Sequence, residues 1–192
     1  MAEGDGPWFE GWWQGARHSP SPNHGRRPPG LSTDLVVLHS ISLPPGRYGG
    51  PEIEDLFLNR LDCNAHPYFD GLRGLQVSAH FLLRRDGECV QFVSVDQRAW
   101  HAGASQFQGR SGCNDFSVGI ELEGLEGETF EPAQYRRLVE LLRALRRTLP
   151  ALSAVVGHEH VAPGRKADPG PGFDWQALRR RLRWAARRFP FL

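Results

Sequence analysis

The segment Asp34-Leu35-Val36-Val37-Leu38-His39 is a short apolar run, rich in branched side chains, that ends in a histidine. Such a run predicts a strand buried on both faces, because strands covered by helices on each side carry nearly continuous apolar residues. Two further strands are predicted at Ser117–Glu123 and Ala154–Gly157. The runs 77–83 and 89–95 flank Arg84-Arg85-Asp86-Gly87-Glu88, and an Asp-Gly turn between two such runs predicts a hairpin.

Three helices are predicted around these strands. Residues 51–58 have the acidic start and apolar spacing of a short helix. Pro132–Thr148 carries leucines at helical spacing, namely Leu138, Leu141, Leu142 and Leu145. Asp174 can cap a last helix that runs to about residue 188, with an inward face made of Trp175, Leu178, Leu182 and Ala185 or Ala186. This order of elements predicts a single α/β domain, a mixed central β-sheet flanked by helices.

The first 30 residues differ from the rest of the chain. They are rich in Gly, Pro, Trp and His and show no sustained hydrophobic period, which predicts an irregular N-terminal arm. Its tryptophans, Trp8, Trp12 and Trp13, predict that this arm packs onto the body of the protein. We expect residues 31–192 to form the main domain.

Composition narrows the classes of protein to which the chain can belong. With 192 residues and a formal net charge of +1, the chain suits one globular domain and shows no signature of nucleic-acid binding. Its three cysteines have no CxxC spacing and fit a reducing compartment. The start lacks the pattern of a signal peptide, and no apolar run reaches the roughly 18 residues of a membrane span. These features predict a cytoplasmic protein without a membrane partner, and the lack of a long exposed apolar stripe favours a monomer.

A single lysine, Lys166, stands against 22 arginines, and it lies between His158 and Asp168 in the segment 157–175. Lysine offers a compact point charge on a flexible stem, whereas arginine offers a planar fork, so this lysine indicates a chemical role. The Pro and Gly residues around it predict a rigid loop rather than a helix. The alternative is a turn whose charges only interact with water.

The histidines at two strand ends suggest a metal site. His39 ends one predicted strand and His158 follows another, so neighbouring strands in one sheet could bring their imidazoles together. Asp168 follows on a loop that can fold back over the sheet edge. Two histidines and one carboxylate leave a fourth tetrahedral position for water, which is the catalytic pattern of zinc ligands. The sequence therefore predicts one Zn²⁺ per chain.

Hydrolysis at such a site needs a base for the water proton and a cation for the developing oxyanion. Glu121, near the end of its strand, is the candidate base, and Lys166 is the candidate oxyanion stabiliser. Glu123 and Glu126 are equally acidic, and Glu123 faces the same side of the strand as Glu121. His160 is a rival to His158, because residues two apart on an extended chain face one side. The residues alone leave both choices open.

Five motifs occur along the chain in a specific order. They are Leu38-His39-Ser40-Ile41-Ser42-Leu43-Pro44-Pro45-Gly46, Val77-Ser78-Ala79-His80, Ala99-Trp100-His101-Ala102-Gly103, Cys113-Asn114-Asp115-Phe116-Ser117-Val118-Gly119-Ile120-Glu121 and Val161-Ala162-Pro163-Gly164-Arg165-Lys166-Ala167-Asp168-Pro169-Gly170-Pro171. In these motifs the chain resembles the AmpD-type amidases, a family of zinc enzymes in cell-wall recycling, and the resemblance spans roughly residues 8 to 180.

The resemblance implies a hydrolase that cuts the amide between 1,6-anhydro-N-acetylmuramic acid and L-alanine of muropeptides in the cytoplasm. It implies that His39, His158 and Asp168 bind zinc, which favours His158 over His160. It also implies Glu121 as the general acid/base and Lys166 as the stabilising cation. The implied fold is a mixed sheet flanked by helices, as in peptidoglycan recognition proteins and phage amidases.

The chain departs from the family pattern at two positions beside the metal ligands. The family commonly has Asn after the first zinc histidine, where this chain has Ser40. It usually has Asp two residues after the second, where this chain has His160. Neither change removes a predicted catalytic group, but serine lacks the reach of asparagine, so contacts to substrate near the metal are expected to differ.

Several further polar and aromatic residues are candidates for contacts with the substrate. Ser40 is a candidate substrate contact near the metal, Trp100 and His101 are candidates to line the sugar site, and Arg85 or Arg110 could hold a peptide carboxylate. Two other functions are compatible with this fold. One is an amidase acting on intact peptidoglycan outside the membrane, and the other is a non-catalytic muropeptide-binding module.

Overall fold

A computed structural model describes residues 8–192 of the chain. Its centre is a six-stranded sheet in the order β12-β5-β11-β6-β7-β3. The strands are β1 (Trp8–Phe9), β2 (Trp12–Trp13), β3 (Arg17–His18), β4 (His24–Arg26), β5 (Leu35–Ile41), β6 (Phe81–Leu83), β7 (Cys89–Gln91), β8 (Gln97–Ala99), β9 (Gln106–Phe107), β10 (Arg110–Ser111), β11 (Ser117–Glu123) and β12 (Ala154–Gly157). The helices are α1 (Glu52–Phe57), α2 (Pro132–Thr148), α3 (His158–Val161) and α4 (Trp175–Leu182), with 3-10 helices at Pro67–Leu72, Cys113–Asp115 and Ala186–Arg188.

The sheet is mixed, as the sequence predicted. Strands β12, β5, β11 and β6 run parallel, whereas β6 and β7 are antiparallel. All seven residues of β11 and the first five of β5 are buried, because helices and loops cover both faces. In the register of β11 on β5, Glu121 lies opposite His39. The two central strands therefore bring a carboxylate and an imidazole to the same point at the carboxyl end of the sheet.

The predicted hairpin is present with shorter strands than expected. Its turn is closed by hydrogen bonds from the Arg84 amide to the Glu88 carbonyl and from the Gly87 amide to the Arg84 carbonyl, both of 2.9 Å. Gly87 takes a φ of 95°, a conformation that favours glycine. Strand β6 begins only at Phe81, since the Ser78 amide bonds to the Trp100 carbonyl, although the His80 amide still bonds to the Gly119 carbonyl of β11.

Helix α2 covers one face of the sheet with the four predicted leucines, which are all fully buried. Helix α4 begins as predicted, since the Asp174 carboxylate accepts a 2.8 Å hydrogen bond from the Ala177 amide. The prediction that this helix runs to about residue 188 is wrong. It ends at Leu182, Arg183 takes a left-handed φ of 57°, and the chain reverses so that Phe189 enters the core. Ala185 and Ala186, predicted to face inward, are exposed.

The N-terminal segment is more regular than the predicted arm. Trp13 is fully buried in the main core, and its amide donates a 2.8 Å hydrogen bond to the side chain of Gln91. Strand β3 joins the central sheet by pairing parallel with β7, and β4 pairs with β8. Residues 1–7 of the predicted arm lie outside the described residues. No helix among residues 8–192 combines the length and apolar character needed to cross a lipid bilayer.

Candidate metal centre and active site

Neighbouring strands β5 and β12, together with the loop that carries Asp168, bring three predicted metal ligands together at the carboxyl end of the sheet. The Nδ1 atoms of His39 and His158 lie 3.0 Å apart. The Asp168 Oδ2 atom lies 3.2 Å from His39 Nδ1 and 3.1 Å from His158 Nδ1. All three side chains are buried. Two imidazole nitrogens and a carboxylate oxygen thus converge on one point, and these three residues could hold a metal ion.

His158 reaches this point because it begins a helical turn, α3, and does not lie on extended chain. The prediction of a loop without helix for residues 157–175 is therefore wrong at its start. On this turn His160 points to another side, where its Nδ1 accepts a 2.8 Å hydrogen bond from the Gly157 amide. Its ring stacks on Phe191 at 4.5 Å between centroids. The helical geometry separates two histidines that an extended chain would place on one side.

Glu121 lies beside this group with its carboxylate unsatisfied. The side chain is buried, and its Oε2 atom has no hydrogen-bond partner among the described residues. Burial, helped by the nearby charge of Asp168, raises the pKa of the Glu121 carboxyl well above its ordinary value, although Lys166 acts in the opposite direction. A raised pKa makes a carboxylate a stronger base, which suits a group that must accept a proton and later release it.

The structure also separates Glu121 from the two acidic residues that the sequence could not exclude. Glu123 accepts hydrogen bonds from Arg84 Nη1 at 3.0 Å and from the amides of Gly49 and Arg85 at 2.7 and 3.2 Å. Its carboxylate is therefore fully engaged in holding the loop after β5 to the sheet. Glu126 is exposed at the rim of the cavity.

A cavity of about 550 Å³ opens above these groups. Its floor contains the two imidazoles and both carboxylates, and the exposed Lys166 lines it as well. One wall is largely apolar and consists of Leu56, Phe57, Tyr68, Leu72, Leu75 and Val77. Most of this wall comes from an irregular segment in which the sequence analysis identified no functional residues, and its composition carries no motif that would have indicated one.

The predicted substrate contacts divide into two groups. Ser40, Trp100 and His101 line the cavity. Arg85 is not part of its lining, since it forms an ion pair with Glu131 and lies 4.5 Å from the ring centre of Tyr48 in a separate groove.

Arg110 is held elsewhere too. Its guanidinium forms two hydrogen bonds of 3.0 and 3.1 Å with the Asp34 carboxylate, at the opposite end of β5 from His39.

His101 has a second contact that sequence analysis missed. Its Nδ1 atom lies 2.9 Å from Nε2 of His39, on the side of that ring away from Asp168. Burial lowers the pKa of His101 well below its ordinary value, and it lowers the pKa of His39 to about 4. Both rings are therefore neutral at physiological pH, which is the protonation state that a metal ligand requires.

Comparisons with known proteins agree with this geometry. A family described as N-acetylmuramoyl-L-alanine amidase matches residues 29–171. The chain is 53% identical to the 1,6-anhydro-N-acetylmuramyl-L-alanine amidase AmpD of Citrobacter freundii over 171 residues, which is 88% of this chain and 91% of that protein.

Solved structures give the same result. A crystal structure of a selenomethionine AmpD derivative superposes with a TM-score of 0.89 at 51% identity, covering 92% of this chain and 99% of that one. The Escherichia coli amidase AmiD, solved with the substrate anhydro-N-acetylmuramic acid-L-Ala-D-gamma-Glu-L-Lys, has a TM-score of 0.58 at 28% identity, covering 81% of this chain and 60% of that one. The predicted resemblance is thereby confirmed, and the chain belongs to the AmpD branch of the N-acetylmuramoyl-L-alanine amidase family.

Proposed function

We propose that this protein is a zinc-dependent amidase that hydrolyses the bond between 1,6-anhydro-N-acetylmuramic acid and L-alanine in muropeptides. The observation that carries the proposal is the convergence of His39 Nδ1, His158 Nδ1 and Asp168 Oδ2 within 4.8 Å, beside the unpartnered Glu121 carboxylate. The substrate class is inferred from the AmpD relatives, whose name states this reaction, and from the muropeptide bound to AmiD.

The donor set fits zinc. Three electron-rich atoms, separated by 3.0 to 3.2 Å and shielded from water, repel one another unless a cation lies between them. Two imidazole nitrogens and one carboxylate oxygen are the usual ligands of catalytic zinc sites, where the fourth position stays open. Zinc bound there supplies Lewis acidity that lowers the pKa of a coordinated water to about 7.

The side chains around the ligands supply proton transfer and charge. Hydrolysis adds water across the amide, so a proton that leaves the water must reach the L-alanine nitrogen before the C–N bond breaks. Glu121 carries this proton, because its raised pKa lets it accept the proton and then give it up. Lys166 lines the same cavity and places a positive charge near the oxygen that becomes negative during attack.

The cavity accounts for how the substrate is held. Its apolar wall offers a surface for the carbon skeleton of the sugar and peptide, while Ser40, Trp100 and His101 offer polar contacts close to the zinc ligands. Because Ser40 is shorter than the usual asparagine, we expect its contact with substrate to be weaker or to pass through water.

The proposal extends to domain organisation, location and partners. We take residues 31–192 as the catalytic domain and the preceding segment as an arm packed on it. A cytoplasmic location is supported by the cysteines, which are all free thiols, namely Cys63, Cys89 and Cys113. We expect a monomer that acts on a small muropeptide, without nucleic acid or membrane as partners.

The test combines metal content with turnover. Zinc per chain and release of peptide from anhydromuramyl-tripeptide are measured for the wild type, Asp168→Ala and Glu121→Gln. About one zinc per wild-type chain is expected, with loss of both zinc and activity in Asp168→Ala. Glu121→Gln should keep its zinc and lose about 10²- to 10⁴-fold in turnover. Glu126→Gln, which changes an exposed carboxylate on the same cavity, is the matched control and should retain both.

Two results would lead to other functions. A wild type that binds zinc and the muropeptide but releases no peptide is a binding module. Equal activity on whole sacculi and on the anhydromuropeptide would replace the recycling substrate by intact peptidoglycan. Full activity in a metal-free protein contradicts the mechanism.

A further inference from the structure

We infer that His101 and Ser117 fix the tautomer of His39 through a hydrogen-bond chain that ends at the backbone carbonyl of Cys113. His39 Nε2 lies 2.9 Å from His101 Nδ1, and His101 Nε2 lies 3.1 Å from Ser117 Oγ. Ser117 Oγ lies 2.6 Å from the Cys113 carbonyl oxygen. The inference rests on the proposed zinc site, since it concerns how one ligand is prepared for the metal.

The carbonyl at the end of the chain sets the direction of every hydrogen bond in it. A carbonyl oxygen only accepts, so the Ser117 hydroxyl donates to Cys113 and must accept from His101. His101 therefore carries its proton on Nε2 and has a lone pair on Nδ1. That lone pair can only accept, so His39 donates from Nε2, and neutral His39 has no proton on Nδ1.

The opposite direction leaves two acceptors in contact. If His101 donated from Nδ1 to His39, its Nε2 would need the Ser117 proton. The Ser117 and Cys113 oxygens would then face each other at 2.6 Å without a hydrogen between them, which is unfavourable in a buried site. A doubly protonated His101 would be a partly buried cation whose ring nitrogens lie against His39 and Ser117 rather than a carboxylate, which is unfavourable.

The tautomer of the second ligand, His158, is set by a single hydrogen bond to a backbone carbonyl. His158 Nε2 lies 3.1 Å from the carbonyl oxygen of Ala102, which requires a proton on Nε2 and leaves Nδ1 free. Arg165 Nη2 also donates to this carbonyl at 2.7 Å, and its 3.5 Å distance from His158 Nε2 is too long to compete. Both imidazoles therefore present unprotonated Nδ1 atoms toward Asp168.

His101 and the Ala102 carbonyl, which orient His39 and His158, belong to adjacent residues, and the Asn114 side chain holds both residues in place. The side-chain oxygen of Asn114 accepts hydrogen bonds from the amides of His101 and Ala102, at 3.1 and 2.8 Å. The His101 ring is packed so closely against Gly119 that a Cβ atom there would lie 2.4 Å from the His101 Cγ. His101 is thus held by backbone and side-chain contacts and acts as a positioning residue, in addition to lining the cavity.

The test reads the tautomers directly. Nitrogen-15 NMR of the imidazoles is recorded on full-length protein, first metal-free and then zinc-loaded, for the wild type and Ser117→Ala. Ser117 does not touch the metal ligands, and alanine keeps its volume apart from the oxygen. Ser94→Ala is the matched control, because the Ser94 hydroxyl also donates to a backbone carbonyl, that of Glu10, but lies in another part of the protein.

In metal-free wild type and Ser94→Ala the hydrogen-bond chain opposes the attraction of Asp168 for a donor, so we expect a larger part of the His39 population to carry its proton on Nε2 than in Ser117→Ala. In Ser117→Ala the chain no longer opposes a hydrogen bond from His39 Nδ1 to Asp168, so a larger part of the His39 population should carry its proton on Nδ1. Zinc affinity, measured by competition with a chelator, should then fall about 10-fold or more, as when outer-shell partners of metal-binding histidines are removed. His101→Phe, which removes the acceptor for His39, should give at least the same loss of affinity.

Two results overturn the inference. The first is a metal-free wild type in which His39 carries its proton on Nδ1 to the same extent as in Ser117→Ala, and the second is a Ser117→Ala protein with wild-type zinc affinity. Since the tautomer is read without metal or substrate, a wild type that fails to bind zinc or to hydrolyse muropeptide contradicts the proposed function separately. If His101→Phe does not fold, Ser117→Ala still decides the question.

Discussion

Replacing Glu121 by glutamine should slow amide hydrolysis about 10²- to 10⁴-fold and make the metal-free fold more stable at alkaline pH. The substitution keeps the shape of the side chain and removes its charge. In the folded protein this carboxylate is buried, its Oε2 atom lacks a partner among residues 8–192, and Asp168 lies close enough to oppose its ionisation. Burying this charge therefore destabilises the folded state, and the charge serves only catalysis.

The pH dependence follows from the direction of the pKa shift. The pKa of Glu121 is raised above its ordinary value of 4.5 in the folded state. Below pH 4.5 the carboxyl is protonated in both states and costs nothing. Above it, the unfolded chain releases the proton first, so wild-type stability falls relative to the variant by about 1.4 kcal/mol per pH unit until the folded pKa is passed. For a domain of this size each pH unit corresponds to roughly 3–6 °C in Tm.

The assay is chemical and thermal unfolding of chelator-treated protein at a series of pH values from 4 upward. Glu123→Gln is the matched control, since it removes a carboxylate two residues away on the same strand. The Glu123 carboxylate accepts hydrogen bonds from Arg84 and from two backbone amides, so removing its charge should destabilise the fold by roughly 1.5–3 kcal/mol. The two substitutions should therefore have opposite signs at pH 8.

The result that refutes this reasoning is a Glu121→Gln protein that is less stable than wild type at pH 8 without metal. A stability difference that does not change between pH 5 and pH 8 refutes it as well, because the carboxyl would then titrate normally in the fold. Turnover provides an independent reading, with a loss of about 10²- to 10⁴-fold expected in the zinc-loaded variant.

Three further substitutions test how the site is supported. Arg84→Met leaves the buried Glu123 carboxylate without its charged partner and should lower the free energy of unfolding by about 3–5 kcal/mol, measured in denaturant. Gly119→Ala places a Cβ 2.4 Å from the His101 ring. The variant should lose about 1–3 kcal/mol of unfolding free energy and part of its zinc affinity. Unchanged zinc binding would contradict the close packing of His101. Asp174→Ala removes the N-cap of α4 and should cost about 1 kcal/mol, whereas Asp174→Asn should cost much less in the same thermal melts.

Local patterns predicted five of the six strands of the central sheet and helices α1, α2 and α4, but not the short strands β1 to β4 and β8 to β10 or helix α3. The apolar run ending at His39 is buried as β5, and the leucine spacing of α2 matches its buried face. These predictions succeed because apolar periodicity reflects which side of an element is covered. The last helix was predicted too long, because the packing of Phe189 into the core reverses the chain after Arg183, and no local pattern carries that information.

By itself, the sequence determined the chemistry available to this protein: a lone lysine, histidines at strand ends, and an acidic strand, in motifs typical of one amidase family. The tertiary structure determined which of these groups contact one another. His39 and His158 are 119 residues apart, and a helical turn directs His158 toward Asp168 and His160 away from it. The fold likewise neutralises Glu123 with Arg84 while it leaves Glu121 unpartnered. The physical reason is that reactivity depends on burial and on neighbouring charges, and both arise only when distant strands pair.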